Sequence, residues 1–545
     1  MKKPTSLLFT LLLVSACQNK GIYPESKNKV AASSKGAVST AHPLATNAAV
    51  RILEAGGNAM DAAIAAAFTL AVVEPTMNGL GGRTQILIYK PQSGFHGIDA
   101  TTAAPDDYDY ENAPKKKYGY PSIGIPGTVK GLVKGLDEFG SFKLSDVMID
   151  AITYAEEGHH LIEGEAKRME GVNEMLNEFS GTSYYFTNPD GTPLKSGKLL
   201  IQKDLSDVLK AISTEGSSVF YTGWIAEKMI EDNNKNGGVL SMKALANYEA
   251  RSSHIVSGSY RGYDLHALWM PAFGAITIEA LQILEQLEGD LINKFDWAES
   301  VSNAIEAAYL DRRVQFTLED AKKFTSKAWA SMRANEIRTK KISSNLEPLP
   351  DSYTALLGHT THLTVADSDG MIVSLTQTIG TTMGSKVATP GLGFMYAQTL
   401  GGYLGEIKPG VRAPSHISPI IVSRGGKPFL AMGAAGGSRI PSSIVSVISR
   451  VIDQNLSLYD AMSKPRVHPA NDNIEIEVVE SDPNKQNKDF DYFLDDTLHF
   501  TQQGYSVKLR SGKANFGRVY AIMREGNEWV AVSDPDWQGS SGAVQ

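Results

Sequence analysis

Cysteine is almost missing from this chain: Cys17 is the only one in 545 residues. An intramolecular disulfide is therefore excluded, and the fold must hold by packing and hydrogen bonding. An excess of basic charge is missing too. Lys and Arg number 52 against 60 Asp and Glu, a formal balance of −8 with no basic stripe, which argues against a nucleic-acid partner. No cluster of His, Cys and carboxylates has the spacing of a zinc site, so neither a metal nor an organic cofactor is expected. The G-x-S-x-G turn of a serine hydrolase is absent as well. What remains is 42% hydrophobic and 21% charged, an ordinary soluble composition with length enough for more than one lobe.

The N-terminus departs from that average. Lys2 and Lys3 precede an apolar run, 7–14, which ends in Ser15-Ala16-Cys17. A basic start, a short apolar stretch and small residues describe an export signal. The run is too short for a permanent transmembrane helix. The segment LLVSAC is similar to a bacterial lipoprotein signal, in which Cys17 becomes the lipidated N-terminus. A plain secretory signal with a chance cysteine is the other reading. Either way the expectation is an exported protein, periplasmic or on the outer-membrane face, touching the membrane through a lipid anchor only. Residues 1–17 are read as the signal and 18–30 as a flexible polar tether.

Folded sequence is expected from about Val30. A helix from Pro43 to Ala55, closed by Gly56-Gly57, is followed by a second that Asn58 caps, NAMDAAIAAAFTLAVV. The second is apolar enough to suggest a membrane span, but it is short and carries Asp61, so it reads as a core helix. The glycine turn NGLGGR feeds a strand. A helical zone spans about 297–341, and the polar, Pro-containing stretch 341–357 reads as an exposed loop open to cleavage. The last third is strand-rich, with one helix near Ser443 to Val451, which implies a largely antiparallel sheet.

Within that last third, His359 to Thr382 reads HTTHLTVADSDGMIVSLTQTIGTT. Gly370 suits the left-handed position of a three-residue hairpin loop. The register that follows sets Val365 against Val373 and Leu363 against Leu375 on a buried face. It sets Thr364 against Ser374, His362 against Thr376 and Thr360 against Thr378 on the other. The simplest expectation for the second set is a solvated hydroxyl face, since threonine favours strands through its β-branch. A chemical role needs a base to take the hydroxyl proton, and an N-terminal threonine carries one in its own α-amino group. That would require a cut before Thr360, which the loop upstream would allow.

Many segments in order resemble the gamma-glutamyltranspeptidase family of N-terminal-nucleophile hydrolases. They include STAHPLATNAAVRILEAGGNAMDAAIAAAFTLAVVEP, NGLGGRTQILIY, IGIPGTVKGL, TTHLTVADSDG, APSHISP, GAAGGSRI and KPRVHP. The resemblance implies an α+β fold, an αββα four-layer sandwich formed from two autocleaved fragments, 31–359 and 360–545, that stay associated. By the same resemblance the cut falls between His359 and Thr360, Thr360 is the nucleophile, and Thr378 holds its hydroxyl or amine. Gly436 and Gly437 match the pair whose N–H groups bind the oxyanion; without the family, such a pair after a strand reads as a turn. Ser415 matches a substrate-contacting serine, and His416 stands where a second serine is expected. His359 and His362 are read as packing or processing residues.

The pattern breaks where a glutamyl head would bind. Thr101 occupies the position of the family's carboxylate-binding arginine, Gly401 and Gly402 that of an acidic pair, and Gly380 that of an asparagine. Arg83 is weighed as a replacement guanidinium against an ordinary surface arginine, and the surface role is the expectation. The implied activity is cleavage of a γ-glutamyl or related small-molecule or short-peptide amide, with water favoured over an amino-acid acceptor. The competing expectation is a lipid-anchored binding protein that keeps the fold and has lost turnover.

Overall fold

A computed structural model describes residues 28–339, 359–402, 404–470, 473–478, 496–511 and 516–545. The signal, Cys17, most of the tether and the loop at 341–357 lie outside the described residues. Among the described residues, no helix is long and apolar enough to cross a membrane.

Two seven-stranded sheets, antiparallel throughout, form the centre. The first runs Ser540–Ala543, Gly36–Thr40, His359–Asp367, Ile372–Gly380, Arg83–Lys90, Gly94–Ala100, Arg251–Ser252. The second runs Val30–Ser33, Glu528–Ser533, Arg518–Glu525, Lys427–Ala435, Ile420–Arg424, Tyr263–Leu268, Ile255–Tyr260. Each sheet interleaves strands from both sides of the His359–Thr360 junction.

The outer layers follow from local sequence. Pro43–Glu54 starts with proline, and Ala59–Val73 is capped by Asn58 in a reciprocal box with Asp61. Every residue of Ala59–Val73 is buried. Its alanines let the first helix and the first sheet approach closely, and Leu363, Val365, Val373 and Leu375 pack into that layer. Asp61 does not contradict the burial, because it accepts from Asn58 N, from the backbone N–H of Ser141 and Phe142, and from the Ser141 hydroxyl. Gly274–Gln286, Lys294–Asp311 and Arg439–Ile452 cover the second sheet through a separate core. Between the sheets lies a third, thinner one, which includes Leu87, Ala366, Ile372, Ile421, Ala431 and Ile522. The result is the four-layer αββα sandwich that the resemblance implies.

The hairpin adopts the expected register at all five of its pairs, and Gly370 has φ +88° in the loop. The solvated hydroxyl face is not observed. The second sheet roofs it, so Thr364 donates to the Tyr520 carbonyl at 2.9 Å and Ser374 to that of Met432 at 3.0 Å. His362 bridges Thr376 and Thr364 at 2.7 and 3.0 Å. Burial holds its imidazole down to about 3, neutral at ordinary pH. Gly433 makes room for that ring: a Cβ there would stand 2.3 Å from His362 Cε1. His362 is thus a packing residue between the sheets.

Candidate active site

The polar face of the hairpin reaches one end of the sandwich at Thr360. Its Oγ1 donates to Thr378 Oγ1 at 3.2 Å, and the hydroxyl of Thr378 accepts from Gly380 N at 3.0 Å. Both threonines are 4% exposed. The ladder shifts register between His359 and Thr360, so the peptide bond expected to be cut sits at a β-bulge, opposite Gly380 with φ +100°.

The second sheet delivers its own groups to this end. Ile420 lies opposite both Met432 and Ala267. The strand Lys427–Ala435 therefore ends where Ile420–Arg424 begins and where Tyr263–Leu268 ends. Gly436-Gly437 follows the first of these, at the start of the helix Arg439–Ile452, with φ +58° at Gly437. A Cβ on Gly436 would meet Gly517 Cα at 2.5 Å. Backbone N–H groups at a helix start suit developing negative charge. Ser415 and His416 precede the second strand, and the ring of His416 packs edge-on against Phe273 at 4.7 Å. Burial holds the His416 imidazole down to about 3, helped by the guanidiniums of Arg312 and Arg83.

Arg83 is not a surface residue. It is 1% exposed and lies directly opposite Thr378, which lies directly opposite Thr360. Cross-strand partners share a face, so the three side chains lie on the same face of the first sheet, toward the second. Arg83 Nη2 donates to the Gln398 carbonyl at 3.0 Å. Thr101 is buried and tied into the wall: its hydroxyl accepts from Gln85 Nε2 at 2.6 Å, its N–H donates to Asp99 at 2.9 Å, and its carbonyl accepts from Tyr248. The carboxylate of Asp99 is in turn paired with Arg412 at 3.0 Å.

The sequence profile described as Gamma-glutamyltranspeptidase matches residues 45–544. The chain belongs to the gamma-glutamyltranspeptidase family. It is 32% identical over 472 residues to the glutathione hydrolase proenzyme of Escherichia coli strain K12, covering 80% of this chain and 81% of that protein. It is 31% identical over 499 residues to the acylase ACY 1 proenzyme of Pseudomonas sp. strain SE83, covering 83% and 85%. The cephalosporin acylase structure from Bacillus halodurans superposes with TM-score 0.83 at 24% identity, over 100% of this chain and 99% of that one. That last likeness bears on the fold.

Membership of the gamma-glutamyltranspeptidase family does not by itself point to the residues that pack against the Thr360 strand. Arg518 Nη2 donates to the carbonyl oxygen of Thr360 at 3.4 Å. The ring of Trp537 lies against both Arg518 and Arg168, and Arg168 pairs with Glu165 at 3.0 Å. Glu165 also accepts from Thr76. Burial and the neighbouring charge of Glu165 push the Glu74 carboxyl up, against the pull of Arg518 and Arg168. These residues lack a local pattern; the only signal was a charged residue inside an apolar stretch, as at Glu74 in VVEP.

Proposed function

We propose that the chain is a self-cleaving amidohydrolase whose nucleophile is Thr360. The supporting observation is the 3.2 Å hydroxyl pair of Thr360 and Thr378 at a bulged peptide bond, on the face of the first sheet that meets the second. Scission before Thr360 frees an α-amino group, which accepts the Oγ1 proton as that oxygen adds to the substrate carbonyl. N–H groups of Gly436 and Gly437 hold the oxyanion. The C–N bond then breaks and the amine leaves with the proton. Water attacks the ester on Thr360, releasing the acid and restoring the hydroxyl. With few polar anchors for an amino-acid acceptor, hydrolysis is the favoured outcome. Fragments 31–359 and 360–545 would stay together, because both sheets pair strands across the junction. The N-terminal segment directs export, with Cys17 as the lipid attachment point.

Intact-mass measurement of the purified, exported protein tests this. Two fragments meeting at Thr360 are expected, with an acyl adduct on the smaller one when an amide substrate is trapped by acid. The Thr360→Ala variant should run as one chain. A mature wild-type chain left whole, with no adduct, overturns the proposal and favours a binding protein of the same fold.

A further inference from the structure

The strand that carries Thr378 ends at Gly380 and gives way to a tight turn, Thr381 to Lys386. Its backbone is left-handed at Met383 (φ +56°), Gly384 (φ +51°) and Lys386 (φ +66°). Two of these residues carry side chains, which disfavour that conformation, so the surroundings must hold the turn. Lys386 supplies the hold. It is 4% exposed. Its Nζ donates to Thr381 Oγ1 at 3.0 Å, to the Gly384 carbonyl at 2.9 Å and to the Thr382 carbonyl. All three N–H bonds of the ammonium are thereby used. Burial pulls the group down to about 8, which leaves it charged at neutral pH. Among the described residues it pairs with no carboxylate. Oxygen dipoles of the turn solvate it, as carbonyl oxygens solvate a bare alkali cation.

Two links lead from this ammonium to Thr378. The first runs through the chain: Gly380, whose N–H donates to Thr378 Oγ1 at 3.0 Å, directly precedes Thr381. The second runs through Gln398. An ammonium can only donate, so Thr381 Oγ1 accepts from Lys386 and must donate onward, which it does to Gln398 Oε1 at 2.6 Å. That fixes the amide of Gln398, whose Nε2 donates to the Lys117 carbonyl. The backbone of Gln398 then holds both neighbours of Thr378. Its N–H donates to the carbonyl of Ile379 at 2.8 Å, and its carbonyl accepts from Arg83, the residue opposite Thr378, at 3.0 Å.

We propose that Lys386 is a positioning residue for the Thr360 chemistry: an internal cation that holds the turn 381–386 and, through Gly380 and Gln398, fixes the Thr378 hydroxyl to which Thr360 donates. The proposal rests on the Thr360 reading. It differs from a merely structural role in one respect. The charge is what matters, so a free cation placed in the same cage should replace the side chain.

The test follows self-cleavage of the full chain at Thr360 by intact mass during cell-free synthesis, which needs no substrate. Lys386→Ala and Lys386→Met should each slow scission by about 10- to 100-fold, the effect of losing hydrogen bonds from a charged donor. Propylammonium restores the atoms that alanine lacks and should recover about tenfold of the rate in Lys386→Ala, while 1-propanol, of similar size and uncharged, should not. Thr381→Val, nearly the same shape, cuts the relay to Gln398 and guards against lysine variants that fail to fold. It should slow scission by about tenfold and gain nothing from propylammonium. Variants that cleave at the wild-type rate overturn the proposal. So does a slowed Lys386→Ala that propylammonium leaves unchanged, or a Thr381→Val that cleaves normally. A wild-type chain that stays whole overturns the Thr360 reading instead.

Discussion

Arg518 of the second sheet touches Thr360 of the first, donating from Nη2 to its carbonyl oxygen at 3.4 Å. This puts a fixed positive charge beside the amine that scission would free. A neighbouring cation disfavours the ammonium form, so it lowers the pKa of the α-amino group and leaves more free base near neutrality. In Arg518→Gln the ammonium form gains, and the acid limb of the kcat/KM profile should move up by about one pH unit. A profile that keeps its limb while kcat falls would reduce Arg518 to a structural role.

Thr378 is the hydrogen-bond partner of Thr360, and its hydroxyl also accepts from Gly380 N. Thr378→Val should lower kcat by about 10²-fold with little change in melting temperature, since the shape is kept and only the hydrogen bonds go. Thr378→Ser should retain most activity. Steady-state kinetics beside a thermal scan decides this.

Gly433 faces the His362 ring, where a Cβ would stand at 2.3 Å. Gly433→Ala must push the imidazole away from Thr376 and Thr364. A loss of about 1–3 kcal/mol in unfolding free energy is expected from overpacking. Chemical denaturation of Gly433→Ala, and of the relieved double variant with His362→Ala, provides the measurement. If the single variant is as stable as wild type, the two sheets are not in tight contact here.

Acid should weaken the fold through its buried histidines. His42, His362 and His416 are each held down to about 3, all chiefly by burial. An unfolded histidine titrates near 6.5, so between these values the unfolded chain binds more protons than the native one. Their stabilisation is therefore complete above about pH 6.5 and drains away as pH falls toward 3. Denaturant midpoints measured from pH 7 to pH 4 should fall steadily, and His362→Gln should flatten the slope. A midpoint constant over that range would contradict the burial of these rings.

Much of the candidate site was readable from local pattern. The period of two along 359–367 and 372–380, with Gly370 between, set the pairing that puts Thr360 against Thr378. Any one-residue slip would have mixed polar and apolar faces. Pro43, the Gly56-Gly57 pair and the Asn58 cap delimited the two packed helices for similar local reasons. Arg83 shows where that reasoning stops. Next to a glycine turn it looks like a solvent residue, and only its ladder position opposite Thr378 places it inside.

Sequence alone determined the elements, the hairpin register and the neighbours Thr360 and Thr378, because each depends on residues a few positions apart. Only the tertiary structure decided that a second sheet covers the hydroxyl face, that buried Arg83 acts on His416, and that Arg518, 158 residues from Thr360, reaches its carbonyl. Burial of a face depends on what packs over it, and contacts of such separation leave no periodic trace in the chain.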